Sequence, residues 1–391
     1  MIRKIFLFIL LLNISNAFAA CGPLLNETVQ KTIDATKVKY DLPGIQVSVW
    51  CPGENQTRDF VTGTKIKNGN DSIKADTLFQ VGSETKSFIA TIILQLEAEG
   101  FLSIEDPIGK WLPQLPDSWK SVTIKQLLNH TSGLPNYNND LVFYSAIFQN
   151  PKKQWTPDEL LSFAINKPLH HEPGKGWDYS NTNYIVAGMI IRTVTNMSID
   201  EEIQTRLLIP LNLSNTYYLP YSYNANILQR IAHGYLSSAN PPRDVTEVNM
   251  SVADSAGALV STSHDIAIWF KTFLSGSLLP AAQFKELNTL VDEQTGQPFV
   301  STKSGDIGWG LGVKYINDES GGYWLHAGET IGYSAVMAWL KCEDIIITIS
   351  TNSSTQEYNV LNELLSNLHH ADKSCVHVPV APTDVRRGFV G

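Results

Sequence analysis

The sequence predicts an α/β (α+β) fold: one antiparallel β-sheet formed from both ends of the chain and flanked by helices, with a mostly helical domain inserted. Three observations predict it. Gly44–Trp50 near the start alternates apolar and polar residues, as a strand does. Trp309–Tyr315, Ser334–Leu340 and Ile345–Ser350 near the end also fit strands. Helical patterns dominate roughly residues 105–270, and strands segregated from helices are typical of α+β proteins.

The remaining elements follow from the same periodicities. Residues 25–40 carry apolar residues on one helical face, and Phe88–Glu99 repeats this pattern. Thr77–Val81 fits a short strand and Tyr358–Leu368 a closing helix. The predicted domains are a signal peptide over 1–19 and one unit over 20–391, in which 20–105 and 270–375 form the sheet domain and 106–269 the mainly helical domain.

Composition restricts the class of protein. The 391 residues are 43% hydrophobic and 17% charged, which supports a sizeable core and excludes global disorder. A formal net charge of −9 argues against a nucleic-acid partner, because such proteins need a basic surface. The histidines show no metal-ligand spacing such as His-Glu-x-x-His, so we expect no catalytic metal.

The N-terminus predicts export. Arg3 and Lys4 precede the apolar run Ile5–Leu12, and Ala17-Phe18-Ala19 fits a cleavage site, which together are typical of a secretory signal peptide. The run is too short for a transmembrane anchor, and no later segment is long and apolar enough to span a bilayer. We therefore expect a periplasmic or secreted protein with no integral membrane segment in the mature chain.

Export makes disulfides possible for Cys21, Cys51, Cys342 and Cys375. Four cysteines allow three connectivities, and the sequence alone does not select one. We favour Cys21–Cys51 with Cys342–Cys375, because each pair closes a modest loop. Lipidation of Cys21 is the alternative, although Phe18 is atypical for it and Cys51 would lose its partner.

The first motif that carries chemistry is Ser83-x-x-Lys86, which follows a predicted strand and opens a predicted helix. Residues three apart lie on one helical face, so the Lys86 amine can reach the Ser83 hydroxyl. Serine is a weak nucleophile until a base removes its proton, and lysine serves if burial lowers its pKa. The alternative is a helix cap followed by a surface lysine.

Two further motifs complete a catalytic pattern. In Tyr179-x-Asn181, a tyrosine can pass a proton to a leaving group and an asparagine can bind a carbonyl. In His326-x-Gly328, on a predicted edge strand, a glycine lets a substrate amide approach the backbone. The alternative for the first motif is a turn with a packed tyrosine. The alternative for the second is a structural histidine beside a turn.

The three motifs in this order resemble the penicillin-recognising serine hydrolases, the family of serine β-lactamases and penicillin-binding proteins. Further stretches resemble the same family across roughly residues 25–370, namely Phe79–Phe88, Leu127–Leu134, Ser255–Thr262 and Gly308–Gly312. Within the family, the chain most resembles the secreted D-alanyl-D-alanine carboxypeptidases related to class C β-lactamases. The resemblance implies a β-lactamase/transpeptidase-like fold and no cofactor.

The resemblance implies a role for each motif residue. Ser83 is expected to form the acyl-enzyme, with Lys86 as its base and Tyr179 as the group that moves the proton to the leaving amine; which of Lys86 and Tyr179 is the base stays open. Asn181 is expected to hold the substrate carbonyl and Lys86. His326 stands where β-lactamases carry lysine, which favours carboxypeptidases and esterases.

The expected substrate-binding residues are Gly328, Glu329 and Lys314. The resemblance implies an oxyanion hole made by the N–H groups of Ser83 and Glu329. Carboxypeptidase relatives bind a terminal carboxylate with arginine and threonines, where this chain has Lys314, Ala327 and Glu329. Lysine lacks the bidentate fork of arginine, and an acidic Glu329 repels a carboxylate unless it pairs with Lys314.

The resulting hypothesis is a serine hydrolase that acts through an acyl-enzyme, foremost as a D-alanyl-D-alanine carboxypeptidase on peptidoglycan-type peptides. The expected partners are a small peptide, β-lactam or ester substrate, and peptidoglycan itself. The altered carboxylate pocket leaves an esterase or weak β-lactamase with the same site as the alternative. A non-catalytic penicillin- or peptide-binding protein is the rival from another class.

Overall fold

The structure, a computed structural model, describes residues 21–22, 24–54, 56–318 and 321–371. The predicted signal peptide and Cys375 lie outside the described residues. Within them, the helices are α1 Leu25–Lys39, α2 Thr85–Ala98, α3 Ile108–Trp111, α4 Ile124–Leu128, α5 Leu141–Gln149, α6 Pro157–Leu161, α7 Asn181–Thr195, α8 Ile199–Ile203, α9 Ile209–Leu211, α10 Ala225–Arg230, α11 Asp254–Gly257, α12 Ser263–Ser275, α13 Ala281–Leu287 and α14 Glu357–Ala371.

The strands lie near both ends of the described chain, with four short ones between them. They are β1 Gly44–Trp50, β2 Arg58–Gly63, β3 Phe79–Gln80, β4 Tyr217–Tyr218, β5 Tyr235–Leu236, β6 Arg243–Asp244, β7 Leu259–Ser261, β8 Val291–Asp292, β9 Ile307–Trp309, β10 Lys314–Ile316, β11 Tyr323–Glu329, β12 Ser334–Leu340 and β13 Ile345–Thr351. The main antiparallel sheet has eight strands in the order β2-β1-β13-β12-β11-β10-β9-β8. The predicted mixed fold with a large antiparallel sheet flanked by helices is therefore confirmed.

Helices cover both faces of this sheet. Apolar residues of α1 and α14, such as Val29 and Leu361, pack with Val47 and Ile347 on one face. On the other face α12 begins against β1, where the Ser263 N–H donates to Gln46 Oε1 at 2.6 Å. Because both faces are covered, the central strands are buried along almost their whole length.

One predicted strand, Trp309–Tyr315, is wrong. Trp309–Tyr315 is divided between β9 and β10, which pair with each other as a tight hairpin. Gly312 sits in the turn with φ +79°, a backbone conformation that favours glycine. A Cβ there would lie 3.1 Å from the Lys86 carbonyl oxygen, so the hairpin tip packs against α2.

The predicted disulfide between Cys21 and Cys51 is present and ties the segment before α1 to the end of β1. It closes a loop with a sequence separation of 30 residues. Loops of this size remove several kcal/mol of chain entropy from the unfolded state, roughly 3–4 kcal/mol in the entropic account. The pair Cys342–Cys375 stays a prediction.

His264, in the first turn of α12, gives the fold a pH-dependent contact with Asp59 on β2. The ring Nδ1 lies 3.0 Å from Asp59 Oδ2, and this hydrogen bond raises the pKa of His264 against the opposing effect of burial. A raised histidine pKa stabilises the fold fully below the unfolded value of about 6.5 and no longer does so once the pH exceeds the folded value.

Replacing this histidine should therefore destabilise the protein in a pH-dependent way. His264→Gln is expected to lower the melting temperature at about pH 5.5 and to have little effect at about pH 9, where the wild-type histidine is neutral as well. Thermal denaturation of both proteins at the two pH values measures this difference. An equal loss at both would show that packing of His264, and not its charge, stabilises the contact.

Candidate active site

Ser83 lies in a 3₁₀ turn, Gly82–Glu84, between β3 and α2. Gly82 has φ +53°, and a Cβ on it would lie 2.6 Å from the Glu329 nitrogen. Glycine at this position therefore lets the turn pack directly on the end of β11. The turn presents Ser83, which is half-buried, to a cavity at the edge of the main sheet.

Lys86, in the first turn of α2, is fully buried and contacts three polar atoms. Its Nζ lies 2.8 Å from Ser83 Oγ and donates to Asn181 Oδ1 and to the Ala256 carbonyl oxygen, each at 2.7 Å. Burial holds the pKa of Lys86 well below its usual range. A neutral amine has two hydrogens, which these two acceptors bind, so its lone pair is left for the Ser83 hydroxyl.

The Ala256 carbonyl was not singled out from the sequence, although Ser255–Thr262 was noted as a family-like stretch. A buried network holds it on α11. Asp254 accepts from Arg192 at 2.8 Å and from the Tyr218 hydroxyl at 2.9 Å. Ser255 donates its hydroxyl to the Tyr184 carbonyl at 2.8 Å. These contacts fix α11 against α7 and so fix one of the two acceptors for Lys86.

Tyr179 lies beside Lys86, with its ring centroid 5.1 Å from the Lys86 nitrogen. The ring packs on His130 at a centroid distance of 4.3 Å. His130 is fully buried, and the Ser180 N–H donates to its Nδ1 at 3.2 Å. Burial, together with the charges of Lys86 and His326, lowers the pKa of His130 well below its usual range. His130 therefore lies directly behind the tyrosine.

The end of β11 forms the opposite wall. Its pairing with β10 ends at Leu325, so that ladder does not extend along His326–Glu329. A Cβ on Gly328 would lie 1.8 Å from the Val81 carbonyl oxygen and 3.1 Å from the Ser83 nitrogen. The glycine therefore allows the nucleophile turn to touch the strand, which brings the backbone of Glu329 next to Ser83.

His326 is buried behind this wall. Its Nδ1 lies 2.7 Å from the Ala327 carbonyl oxygen, and its ring meets the edge of Trp309 at a centroid distance of 5.7 Å. Trp309 also packs against Tyr179 at 5.8 Å. Trp309 thus contacts both His326 and Tyr179, and His326 is not among the residues that line the cavity.

The cavity in front of Ser83 has a volume of about 570 Å³. Apolar residues form much of its wall: Tyr137, Phe143, Tyr144, Ile147, Val245, Val248, Met250, Val252, Ile307 and Ile331. The charged residues of the lining, within the described chain, are Asp178, Glu293 and Glu329. The cavity therefore combines an apolar surface with a negative one.

Lys314 lies elsewhere. It is fully buried, its Nζ is 3.4 Å from the Tyr358 hydroxyl on α14, and it does not line the cavity. Burial raises the pKa of the neighbouring Glu357, and the positive charge of Lys314 opposes that rise. Lys314 thus balances a buried carboxyl group under the C-terminal helix, away from the cavity in which a substrate carboxylate was expected to meet it.

Neither a metal centre nor a membrane span is found among the described residues. No group of three or more His, Cys, Asp or Glu side chains is placed to hold a metal ion there. No helix in that part of the chain combines the length and apolarity needed to cross a bilayer.

The geometry agrees with comparisons to known proteins. Penicillin-binding protein 4* of Bacillus subtilis is 28% identical over 73% of this chain, which spans 63% of that relative's length. D-amino acid amidase from Ochrobactrum anthropi, solved with L-phenylalanine amide, matches with a TM-score of 0.75 and 28% identity over 89% of this chain and 98% of its own. D-stereospecific amidohydrolase from Streptomyces matches with a TM-score of 0.72 and 28% identity over 84% of this chain and 94% of its own. The sequence profile named Beta-lactamase matches residues 29–369, and the chain belongs to this family of serine hydrolases.

Proposed function

We propose that this protein is a serine amidohydrolase that forms an acyl-enzyme on Ser83 with amides whose acyl part carries a D-configured residue. The observation that carries the proposal is the contact between Ser83 and a fully buried Lys86, whose hydrogens are bound by Asn181 and Ala256. Similarity to a D-amino acid amidase and a D-stereospecific amidohydrolase supports the amide and its configuration.

The acylation step follows from this arrangement. Ser83 Oγ attacks the amide carbonyl carbon while its proton passes to Lys86 Nζ, and the carbonyl π bond becomes an oxyanion. The N–H groups of Ser83 and Glu329, whose backbones lie side by side, stabilise that charge. Collapse of the intermediate breaks the carbon–nitrogen bond, and the leaving amine takes a proton through Tyr179.

Deacylation repeats the same chemistry with water. Water attacks the ester carbonyl on Ser83 and loses its proton to Lys86 Nζ. The Ser83 oxygen then leaves the acyl carbon and takes this proton back. Asn181 keeps Lys86 in place through the 2.7 Å hydrogen bond and orients the substrate carbonyl with its amide group. His326, which is not among the residues that line the cavity, acts on the electrostatics of Tyr179.

The charge of the cavity decides between amide substrates. A D-alanyl-D-alanine peptide carries a carboxylate next to the scissile bond, and the charged lining of the cavity is acidic within the described chain. Like charges brought together without water cost several kcal/mol of binding free energy. A neutral leaving group, such as ammonia from a primary amide, avoids this repulsion.

Hydrolysis of D-alanyl-D-alanine peptides, as a carboxypeptidase, is the second candidate function. Its support is the similarity to a penicillin-binding protein, and an esterase or weak β-lactamase would use the same acyl-enzyme. The non-catalytic alternative is disfavoured, because the site keeps Lys86 buried next to Ser83, and burying an amine without a function is costly. Export remains part of the proposal, supported by the disulfide Cys21–Cys51.

A pair of substrates separates the two candidates. We expect kcat/KM for D-phenylalanine amide to exceed that for diacetyl-L-lysyl-D-alanyl-D-alanine by at least about tenfold, because only the peptide brings a carboxylate to the acidic wall. Ammonia release and D-alanine release measure the two reactions, with L-phenylalanine amide as the control for configuration. Faster release of D-alanine would contradict the proposal and establish the carboxypeptidase; turnover of esters alone would establish the esterase.

A further inference from the structure

One buried residue, His130, contacts the backbone on both sides of Tyr179. Its carbonyl oxygen accepts from the Asp178 N–H at 3.0 Å, and its Nδ1 accepts from the Ser180 N–H at 3.2 Å. The imidazole also packs on the Tyr179 ring, with 4.3 Å between the two centroids. The tyrosine is therefore held by the peptide groups of both its neighbours and by its own ring.

The backbone of His130 has an uncommon conformation. Its φ is +64°, in the left-handed region that few residues other than glycine adopt, although Asn, Asp and His do so more often than most. In this conformation the carbonyl and the imidazole of one residue both reach the loop before α7. Residues held in sparsely populated conformations cluster at functional sites, which directs attention to what this contact does for Tyr179.

The hydrogen bonds also fix the tautomer of His130. Its Nδ1 accepts from the Ser180 N–H, and Asn183 Nδ2 lies 3.2 Å from the same atom. A ring nitrogen that accepts a hydrogen bond carries no proton, so the hydrogen of the neutral ring is on Nε2. Burial, together with the charges of Lys86 and His326, lowers the pKa of His130, which also favours the neutral ring. Its Nδ1 therefore remains an acceptor for the Ser180 N–H.

We propose that His130 is a positioning residue, whose Nδ1 places Tyr179 so that the tyrosine hydroxyl can give a proton to the leaving group. The inference rests on the acyl-enzyme mechanism of the proposed function, but not on an amide being the substrate. A buried N–H without an acceptor is costly, so without Nδ1 the loop at Ser180 is expected to move and to carry Tyr179 with it. Misplacing a catalytic group by about 1 Å can cost about 10²-fold in rate.

Two esters of one acid isolate the step in which the leaving group takes its proton. Methyl butyrate releases methanol, so the methoxide oxygen needs a proton as its bond to the acyl carbon breaks. p-Nitrophenyl butyrate releases a stable anion that needs no such proton. The measured quantity is the ratio of kcat/KM for the p-nitrophenyl ester to kcat/KM for the methyl ester, because both values report acylation of Ser83 by the same acyl group.

The variants of His130 separate its acceptor from its ring. His130→Phe keeps an aromatic ring beside Tyr179 but has no acceptor, and it should raise the ratio by at least about tenfold. His130→Asn puts an amide oxygen where Nδ1 lies and suits a positive φ, so its ratio should stay within about threefold of the wild type. His130→Gln places its amide on the Nε2 side of the ring and should resemble His130→Phe, which provides a second variant if the first does not fold.

Thr131→Val is the matched control, because it changes the neighbouring buried side chain of the same loop. Thr131 is 3% exposed, and its hydroxyl donates to Asn129 Oδ1 at 2.7 Å. Losing this hydrogen bond should lower the melting temperature but leave the ester ratio within about twofold of the wild type, since the hydrogen bond lies within the loop and not at Tyr179.

Three outcomes overturn the inference. Equal losses for both esters in His130→Phe and His130→Gln would show that His130 only supports the fold. A ratio in His130→Asn as high as in His130→Phe would show that the acceptor does not matter. The same rise in Thr131→Val would show a general loosening of the loop.

Hydrolysis of D-phenylalanine amide separates this inference from the proposed function. If the wild type hydrolyses methyl butyrate but not the amide, the proposed amidohydrolase is wrong, while the ester ratio still decides the role of His130. If the wild type hydrolyses the amide and the ratio does not respond to His130→Phe or His130→Gln, the inference is wrong and the proposed function stands. A wild type that is acylated by neither ester nor amide overturns both.

Discussion

Ser83→Ala is expected to abolish covalent labelling by benzylpenicillin and to lower kcat for amide substrates by about 10⁴-fold or more, as loss of the nucleophile does in other serine hydrolases. The reason is chemical: alanine offers no oxygen to form the acyl-enzyme, while the cavity and the oxyanion donors stay in place. Intact-mass spectrometry after incubation with benzylpenicillin measures the adduct directly. The wild type should gain the mass of one penicilloyl group, since repulsion of the penicillin carboxylate by the acidic wall slows acylation without preventing it.

Ser87→Ala is the matched control, because it removes one hydroxyl from the same helix. Ser87 donates to the Glu84 carbonyl at 2.7 Å and accepts from the Trp269 indole N–H at 2.8 Å, so it faces the core. This variant should still be labelled, even if it is less stable. An adduct that persists in Ser83→Ala and disappears in Ser87→Ala would contradict the role proposed for Ser83.

The proximity of Ser83 and Lys86 could be predicted because it depends only on local geometry: three residues on one helical face. The strands Gly44–Trp50 and Ser334–Leu340 were predictable with their observed bounds for a similar reason, since alternation and apolar runs are read residue by residue. The arrival of Asn181 at Lys86 is not local, and the sequence implied it only through resemblance to a family.

Other parts of the site could not be predicted because they depend on tertiary packing. The Ala256 carbonyl has no side-chain signal, since any residue supplies a carbonyl. The tertiary contacts of Asp254 and Ser255 place it. The sequence suggested one strand at Trp309–Tyr315, and only the packing of Gly312 on α2 explains the hairpin. The sequence predicts that Lys314 is a cation of the substrate cavity. In the structure it is buried instead against Tyr358 on α14.

The role of Lys86 as a base makes a second large effect predictable. Lys86→Met is expected to lower kcat/KM by about 10³-fold or more, because general-base catalysis contributes about 10²–10⁴-fold and the hydrogen bond that orients Ser83 is also lost. Lys86→Arg is expected to be as inactive, since a guanidinium stays protonated and cannot accept the serine proton. Measuring kcat/KM for an amide substrate with both variants tests the base directly.

The pH profile and a control variant distinguish a base from a buried cation. Burial holds the pKa of Lys86 well below its usual range, so the wild-type rate should rise with pH through that lowered pKa and level off well below the value of about 10.4 for an exposed lysine. Lys314→Met, the other fully buried lysine of the described chain, should keep the kcat/KM and the profile of the wild type. A Lys86→Arg protein with substantial activity would mean that the site needs only a positive charge beside Ser83, and Tyr179 would then be the better candidate for the base.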